Sequence, residues 1–260
     1  MKVTLLGTGT SHGIPMIGCD CEICTSSDPH DTRTRASIVV AYDDGTSILV
    51  DTTPEFRIQC LAYGVQRCDA VLFTHHHADH ITGLDDVRRF NWLQSGPIDC
   101  YGLPSTLRRV TQMFDYAFTH DPDYPSAKPH LIAHPVDGVL EIRGKRIVPV
   151  PLLHGRMPIL GFRFGDFAYC TDCSAVPPEA MALLTDLDVL VLDALRIRPH
   201  PTHFNLEQAI ECAKQIGAKR TLFTHIAHEL MHARTNQQLP AGMALAYDGQ
   251  TVELSEPGPG

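Results

Sequence analysis

The chain has no run of the roughly 18–20 apolar residues needed to span a bilayer. Its hydrophobic content is an ordinary 43% over 260 residues. No membrane partner is therefore expected. Positive charge is also in short supply: 21 Lys and Arg face 30 Asp and Glu, for a formal net charge of −9. That balance disfavours broad electrostatic capture of nucleic acid, but it does not exclude a small phosphate ester held by metal ions. Signal-peptide architecture is missing too. The segment from Met1 to Gly7 enters a strand directly, so a cytoplasmic location is the expectation. The dinucleotide fingerprint fails at its third glycine: Gly7-x-Gly9 is followed by His12, with no helical pattern after it. No linker or compositional break divides residues 1–260, and one α/β domain is the expectation at this length.

What the chain does have is histidine. Thr74-His75-His76-His77-Ala78-Asp79-His80 holds four histidines and one aspartate in seven residues. The preceding run, Asp69 to Phe73, is short and apolar and reads as a buried strand. The histidines thus sit where a strand gives way to a loop, on a rigid scaffold. Imidazole is the commonest metal ligand, and carboxylate is a harder donor. In an extended loop His75 and His77 point the same way, whereas Asp79 and His80 need a turn to join them. More residues of ligand type end strands elsewhere: Asp51, His154, Asp172 and His225.

Cysteine is the second abundance. Of nine cysteines, Cys19, Cys21 and Cys24 fall within six residues. In a reducing compartment metal binding outranks disulfides, and thiolates suit a tetrahedral zinc. Three thiolates are one ligand short, and the residues nearby offer no fourth cysteine. The other six are dispersed in apolar runs and read as small core residues.

Strands are expected at Val3–Leu6, Ser37–Ala41, Ser47–Val50, Ile98–Tyr101, Arg146–Leu153, Gly161–Phe164, Phe167–Thr171, Leu187–Leu192 and Arg220–Thr224. Asp43-Asp44-Gly45 signals a hairpin turn, and Asp248-Gly249 a final hairpin. Helices are expected at Pro54–Tyr63, Gly83–Leu93, Pro104–Phe118 and Pro177–Thr185. The cleanest is Asn205–Gly217, with Asn205 and Gln208 at capping-box spacing and Gly217 as the stop. The Gly7–Pro15 stretch reads as a turn whose glycines permit unusual backbone angles, with His12 a candidate substrate contact. Residues 119–135, rich in proline, read as a lid or insertion whose histidines face solvent.

The pattern His75-x-His77-x-Asp79-His80, followed in order by His154, Asp172 and His225, resembles the metallo-β-lactamase superfamily. The resemblance covers nearly the whole chain. It implies a four-layer αββα sandwich: two mixed β-sheets face to face, flanked by helices. It implies His75, His77 and His154 on one metal, Asp79, His80 and His225 on a second, and Asp172 bridging them. Ligand type suits Zn²⁺ or Mn²⁺ and does not choose between them. Asp51 and Asp193 would orient histidines, and His76 would face away. The Gly7-Thr8-Gly9 turn, the cysteine cluster and Thr224-His225-Ile226-Ala227-His228 narrow the resemblance to the phosphoribosyl cyclic phosphodiesterases of the phosphonate (carbon–phosphorus lyase) pathway. That family implies a structural zinc on Cys19, Cys21, Cys24 and His228, and a catalytic histidine at His203, with His200 a weaker candidate. Asp79 and His203 are the expected catalytic residues.

The implied reaction is hydrolysis of a small, cyclic or simple phosphodiester by a hydroxide shared between the metals. The stretch Leu195–Pro199 departs from the family pattern, which weakens the case for a ribosyl cyclic phosphate in particular. A thioester or lactone hydrolase on the same centre is an alternative. A cofactor-biosynthesis accessory role is another, since the pyrroloquinoline quinone biosynthesis protein B family also joins this fold to an amino-terminal cysteine cluster. A homodimer is left open.

Overall fold

Alternate residues of the short strands serve two different cores. In Ser47–Val50, Ile48 and Val50 face one cluster and Leu49 the other; Ala70 and Leu72 separate from Val71 in the same way. The period of two places successive side chains on opposite faces, and here both faces are buried. A computed structural model describes residues 1–119, 121 and 127–256. The first sheet runs, in spatial order, Thr251–Glu253, Lys2–Gly7, Ser37–Ala41, Ser47–Val50, Ala70–Leu72, Ile98–Gly102 and Leu131–Pro135. The second runs Met243–Leu245, Arg220–Thr224, Val189–Asp193, Phe167–Cys170, Met157–Phe164, Lys145–His154 and Leu140–Ile142.

Each sheet is mixed, and the two are built alike. In the first, pairing is antiparallel as far as Ser47–Val50 and parallel beyond it. In the second, the four strands from Met243–Leu245 to Phe167–Cys170 are parallel and the rest antiparallel. Val3, Leu5, Ile38, Phe162, Phe167 and Val191 fill the space between the sheets. The first sheet's outer face is covered by Phe56–Ala62, Arg88–Gln94 and Pro104–Met113, the second's chiefly by Leu206–Ile216. The result is an αββα sandwich. No helix among the described residues is long and apolar enough to cross a membrane.

Local signals hold at several points. Ser37–Ala41 and Ser47–Val50 form the expected hairpin, with Gly45 at φ +86°. Leu206–Ile216 carries the full capping box between Asn205 and Gln208 and ends at Gly217, φ +74°. The expected Pro104–Phe118 helix is broken at Phe114, and Gly83–Leu93 begins as a tighter turn at Leu84–Val87.

Three expectations are corrected. Asp248-Gly249 does not close a hairpin, because Met243–Leu245 edges the second sheet and Thr251–Glu253 the first. The turn instead carries the chain from one sheet to the other. Of the glycines in the Gly7–Pro15 stretch, Gly13 takes the expected unusual angle, φ +64°, but Gly7 and Gly9 are not at positive φ. They are glycine because a Cβ would lie 2.0 Å from Arg35 O and 2.8 Å from Arg33 O. Finally, Leu131–Pro135 is no insertion but the edge strand beside Ile98–Gly102. His134 bonds Asp99 at 2.7 Å on that edge. His120 lies outside the described residues, as do 122–126, so the lid reading there does too.

Candidate metal centre

The residues of ligand type cluster where strands end. Asp51, Thr74, Asp172 and His225 each follow the carboxyl end of a strand, and Asp193 is the last residue of one. In open α/β sheets that end is where ligands bind. Asp51, Asp172 and His225 lie at φ 64°, 61° and 58°. Non-glycine residues rarely adopt this left-handed conformation, which costs of order 1 kcal/mol or more and concentrates at functional sites. The turn needed for Asp79 and His80 is the short helix Ala78–Ile81.

Two groups result. Ligand atoms of His75, His77 and His154 lie within 4.8 Å of one another, as do those of Asp79, His80, Asp172 and His225. Asp172 joins the second group through both oxygens: Oδ2 is 3.3 Å from His80 Nε2, and Oδ1 is 3.0 Å from His225 Nε2. His76 belongs to neither group.

Several rings are oriented from behind. Asp51 Oδ2 is 2.7 Å from His80 Nδ1, and Asp51 also accepts from Thr74 N at 2.9 Å and Thr74 Oγ1 at 2.8 Å. His154 Nδ1 bonds the Asp172 carbonyl at 2.7 Å. Asp193 Oδ1 is 3.2 Å from His203 Nδ1, while Asp193 Oδ2 accepts from Phe204 N at 3.0 Å. Nδ1 is thus engaged on these rings and Nε2 faces inward, which fixes tautomer and aim. Nε2 of His75, His80 and His225 is buried and makes no well-aligned hydrogen bond among the described residues; those of His80 and His225 meet only the Asp172 and Asp79 carboxylates. Leaving such an atom unsatisfied costs about 1–3 kcal/mol. Three such nitrogens beside the buried Asp172 and the half-buried Asp79 are the donor set of divalent metal ions, and the residues fit them.

The two groups differ in charge. Burial holds His75 well below the usual imidazole range and His154 near 4. These rings are neutral at pH 7 and ready to bind metal. Burial also opposes charge on His80 and His225. Asp172, helped by Asp51 and Asp79 at His80 and by Asp79 and Asp193 at His225, outweighs it and raises both, His225 to about 10. Without metal, protons supply the positive charge that the carboxylates require.

His203 is buried beside both groups. Its ring centroid lies 4.6 Å from that of His154 and 4.7 Å from that of His225. His200 is the next ring outward, at 5.1 Å from His203, and His12 is exposed nearby.

The cysteine cluster finds its partner across the chain. Sγ of Cys19, Cys21 and Cys24 lies 3.3, 3.4 and 3.7 Å from His228 Nδ1. A zinc tetrahedron with ordinary Zn–S and Zn–N bonds has a sulfur–nitrogen edge of about 3.6 Å. The Cys24 N–H lowers Cys21 to about 6, so one thiol ionises readily, whereas burial pushes Cys24 up to about 11. Nothing in the sequence marks Thr74 as a brace for Asp51 or Asp248 as more than a turn residue, although Asp248 bonds both Thr8 and Thr34. A hydroxyl ahead of a histidine run and a turn aspartate carry no distinctive spacing.

Residues 46–226 match the family described as the Beta-lactamase superfamily domain. The chain belongs to this superfamily. A diphosphatase of the PhnP family, known from its crystal structure, is 46% identical, with 98% of each chain covered and a TM-score of 0.91. The chain belongs to that family within the superfamily. An octanoyltransferase of Porphyromonas gingivalis is 35% identical over 260 residues, covering 99% of this chain but 52% of the relative. The chain thus spans about half the length of that protein. A ribonuclease Z of Mycobacterium sp. (strain KMS) is 25% identical over 293 residues, covering 98% of this chain and 96% of the relative. Superfamily membership, with these ligand clusters, supports a metal-dependent hydrolase domain.

Proposed function

We infer that this superfamily domain is a dinuclear metal-dependent phosphodiesterase acting on a small phosphodiester, cyclic or simple. The observation that carries the reading is Asp172, whose two oxygens face His80 and His225 beside the His75, His77 and His154 group. His75, His77 and His154 would hold one ion, and Asp79, His80 and His225 the other, with Asp172 shared. Such a pair, Zn²⁺ or Mn²⁺, lowers the pKa of water from about 15.7 towards roughly 7 and withdraws charge from a phosphoryl group.

The chain's own residues do the rest. Asp51 and Asp193 keep His80 and His203 from rotating. Asp193 at Nδ1 leaves His203 Nε2 to hold a proton for the departing oxygen, as general acid catalysis requires. Cys19, Cys21, Cys24 and His228 would hold a separate structural zinc. It would staple the amino-terminal loop to the segment after His225.

The test is hydrolysis of bis-p-nitrophenyl phosphate and a panel of cyclic phosphates with Mn²⁺ or Zn²⁺. His203→Ala is expected to lower kcat about 10²–10⁴-fold while metal content stays that of the parent. Folded, metal-replete protein inactive on every phosphodiester would overturn the reading. A second reading, thioester or lactone hydrolysis, draws on the octanoyltransferase name of one relative. It predicts that His203→Ala leaves acyl hydrolysis largely intact.

A further inference from the structure

Cys19, Cys21 and Cys24 stand 209, 207 and 204 residues before His228, yet their sulfurs lie 3.3, 3.4 and 3.7 Å from its Nδ1. Ligands on two separate arms of the chain bind a metal weakly if binding must also bring the arms together. One buried ion pair, outside the ligand set itself, touches both arms.

Asp31 and Arg33 are 2% and 1% exposed. Asp31 ends the single turn Pro29–Asp31. Its Oδ2 accepts from Ser26 Oγ at 2.8 Å, two residues past Cys24. Its Oδ1 accepts from His232 N at 2.8 Å, four residues past His228, and from Arg33 Nη2 at 3.0 Å. The same Nη2 donates to Leu230 O at 2.9 Å. The Arg33 backbone exchanges two 2.8 Å bonds with Ile14, where the chain enters the cysteine loop. One carboxylate and one guanidinium thus hold the cysteine arm at Ile14 and Ser26 and the histidine arm at Leu230 and His232.

The pair is poorly suited to stability for its own sake. Nε and Nη1 of Arg33 are buried and make no hydrogen bond among the described residues. Unmet buried donors are destabilising, and a buried ion pair often stabilises less than apolar residues of equal volume. The best attested use of such a pair is to fix which groups meet. Another link between the arms, Arg234 Nη2 to Glu22 Oε1 at 2.8 Å, has side chains 60% and 65% exposed. Exposed pairs of this kind hold little.

We propose that Asp31, with Arg33, is the positioning residue of the cysteine–histidine site: it sets the spacing between the three thiols and His228, so that zinc meets four ligands in place. This rests on the zinc reading of the cluster and not on the phosphodiesterase reading. Asp31 acts through the two arms and touches no ligand atom of the site.

Cobalt(II) is the probe, because absorption from thiolate-to-cobalt charge transfer reports this site separately from the histidine–aspartate centre. The full chain, freed of metal and shown to be folded by circular dichroism, is titrated with cobalt(II) against a competing chelator. The parent is expected to show the thiolate band at one cobalt per chain. Asp31→Asn combined with Arg33→Gln leaves no charge unpaired and is expected to weaken that cobalt about 10–100-fold, the loss usual for residues that orient metal ligands. Ser26→Ala is the milder variant, removing only the Asp31 contact on the cysteine side, and should weaken it about 2–10-fold. Glu22→Gln stays within about twofold of the parent. Val110→Ala, in the core outside the first sheet, lowers stability but not cobalt affinity. A parent without the thiolate band overturns the zinc reading and this proposal together. A parent with the band overturns the proposal alone if the double variant or Ser26→Ala binds as the parent does, or if Val110→Ala weakens cobalt as much as they do.

Discussion

Asp248 holds Thr8 by both of that residue's donors: Oδ1 accepts from Thr8 N at 2.8 Å and from Thr8 Oγ1 at 2.7 Å. Its other oxygen does the same for Thr34, at 2.7 Å for each donor. Thr8 in turn accepts from Ile226 N at 2.9 Å, directly after His225. One carboxylate from the turn between the sheets thus clamps the Gly7–Gly9 segment against the end of the strand that presents His225.

Replacing Asp248 by Ala leaves four donors without their acceptor. The expected loss is about 2–4 kcal/mol of unfolding free energy, read from urea denaturation of metal-replete protein. A loss below about 0.5 kcal/mol would return Asp248 to being an ordinary turn residue.

Asp51→Asn removes the charge behind His80 and one of the acceptors that Thr74 uses. Metal affinity of the histidine–aspartate centre is expected to fall about 10–100-fold, measured by competition with a chromophoric chelator. The thiolate-bound zinc should be unchanged. An equal loss of both metals would mean that Asp51 supports the fold at large rather than His80.

Cys21→Ser should lose one zinc per chain and lower stability, because structural zinc binding is coupled to folding. Mild chelation of the parent should do the reverse, stripping the open His/Asp centre first. Thiolates favour zinc strongly, and a closed site has no vacancy through which exchange begins. Elemental analysis of both preparations is the measurement. A Cys21→Ser protein with the parent's full metal count would show the cluster to be something other than a zinc site.

Metal-free protein should lose stability as pH rises from 6.5 to about 10, because His225 is raised from 6.5 to about 10 in the fold. A folded-state value above the unfolded one contributes fully below the lower value and vanishes as pH passes the higher. Metal-loaded protein should not show this loss, since a liganded imidazole nitrogen carries no proton. Urea midpoints across that range make the comparison. A flat profile for the metal-free form would mean that Asp172, Asp79 and Asp193 do not hold the proton on His225.

Much of the site was legible in the chain because its signals are local. Short apolar runs ending in His or Asp mark strands with ligands at their carboxyl ends, and strand alternation needs only neighbouring residues. The capping box at Asn205 is equally local, and the structure reproduces it. Partner choice is different. By residue type alone the cysteine cluster lacked a fourth donor; resemblance pointed to His228, and the fold brings its ring to the thiols across 209 residues of sequence. Asp248 looked like a hairpin turn, since a turn motif says nothing about which sheet each flanking strand joins. Gly7 and Gly9 looked like bend glycines, whereas the close approach of Arg35 and Arg33 requires them. Hydrophobic periodicity determined the layers and put ligand-type residues at their edges. Which polar groups meet there was decided by how two sheets pack, because burial forces each to find a partner wherever the fold supplies one.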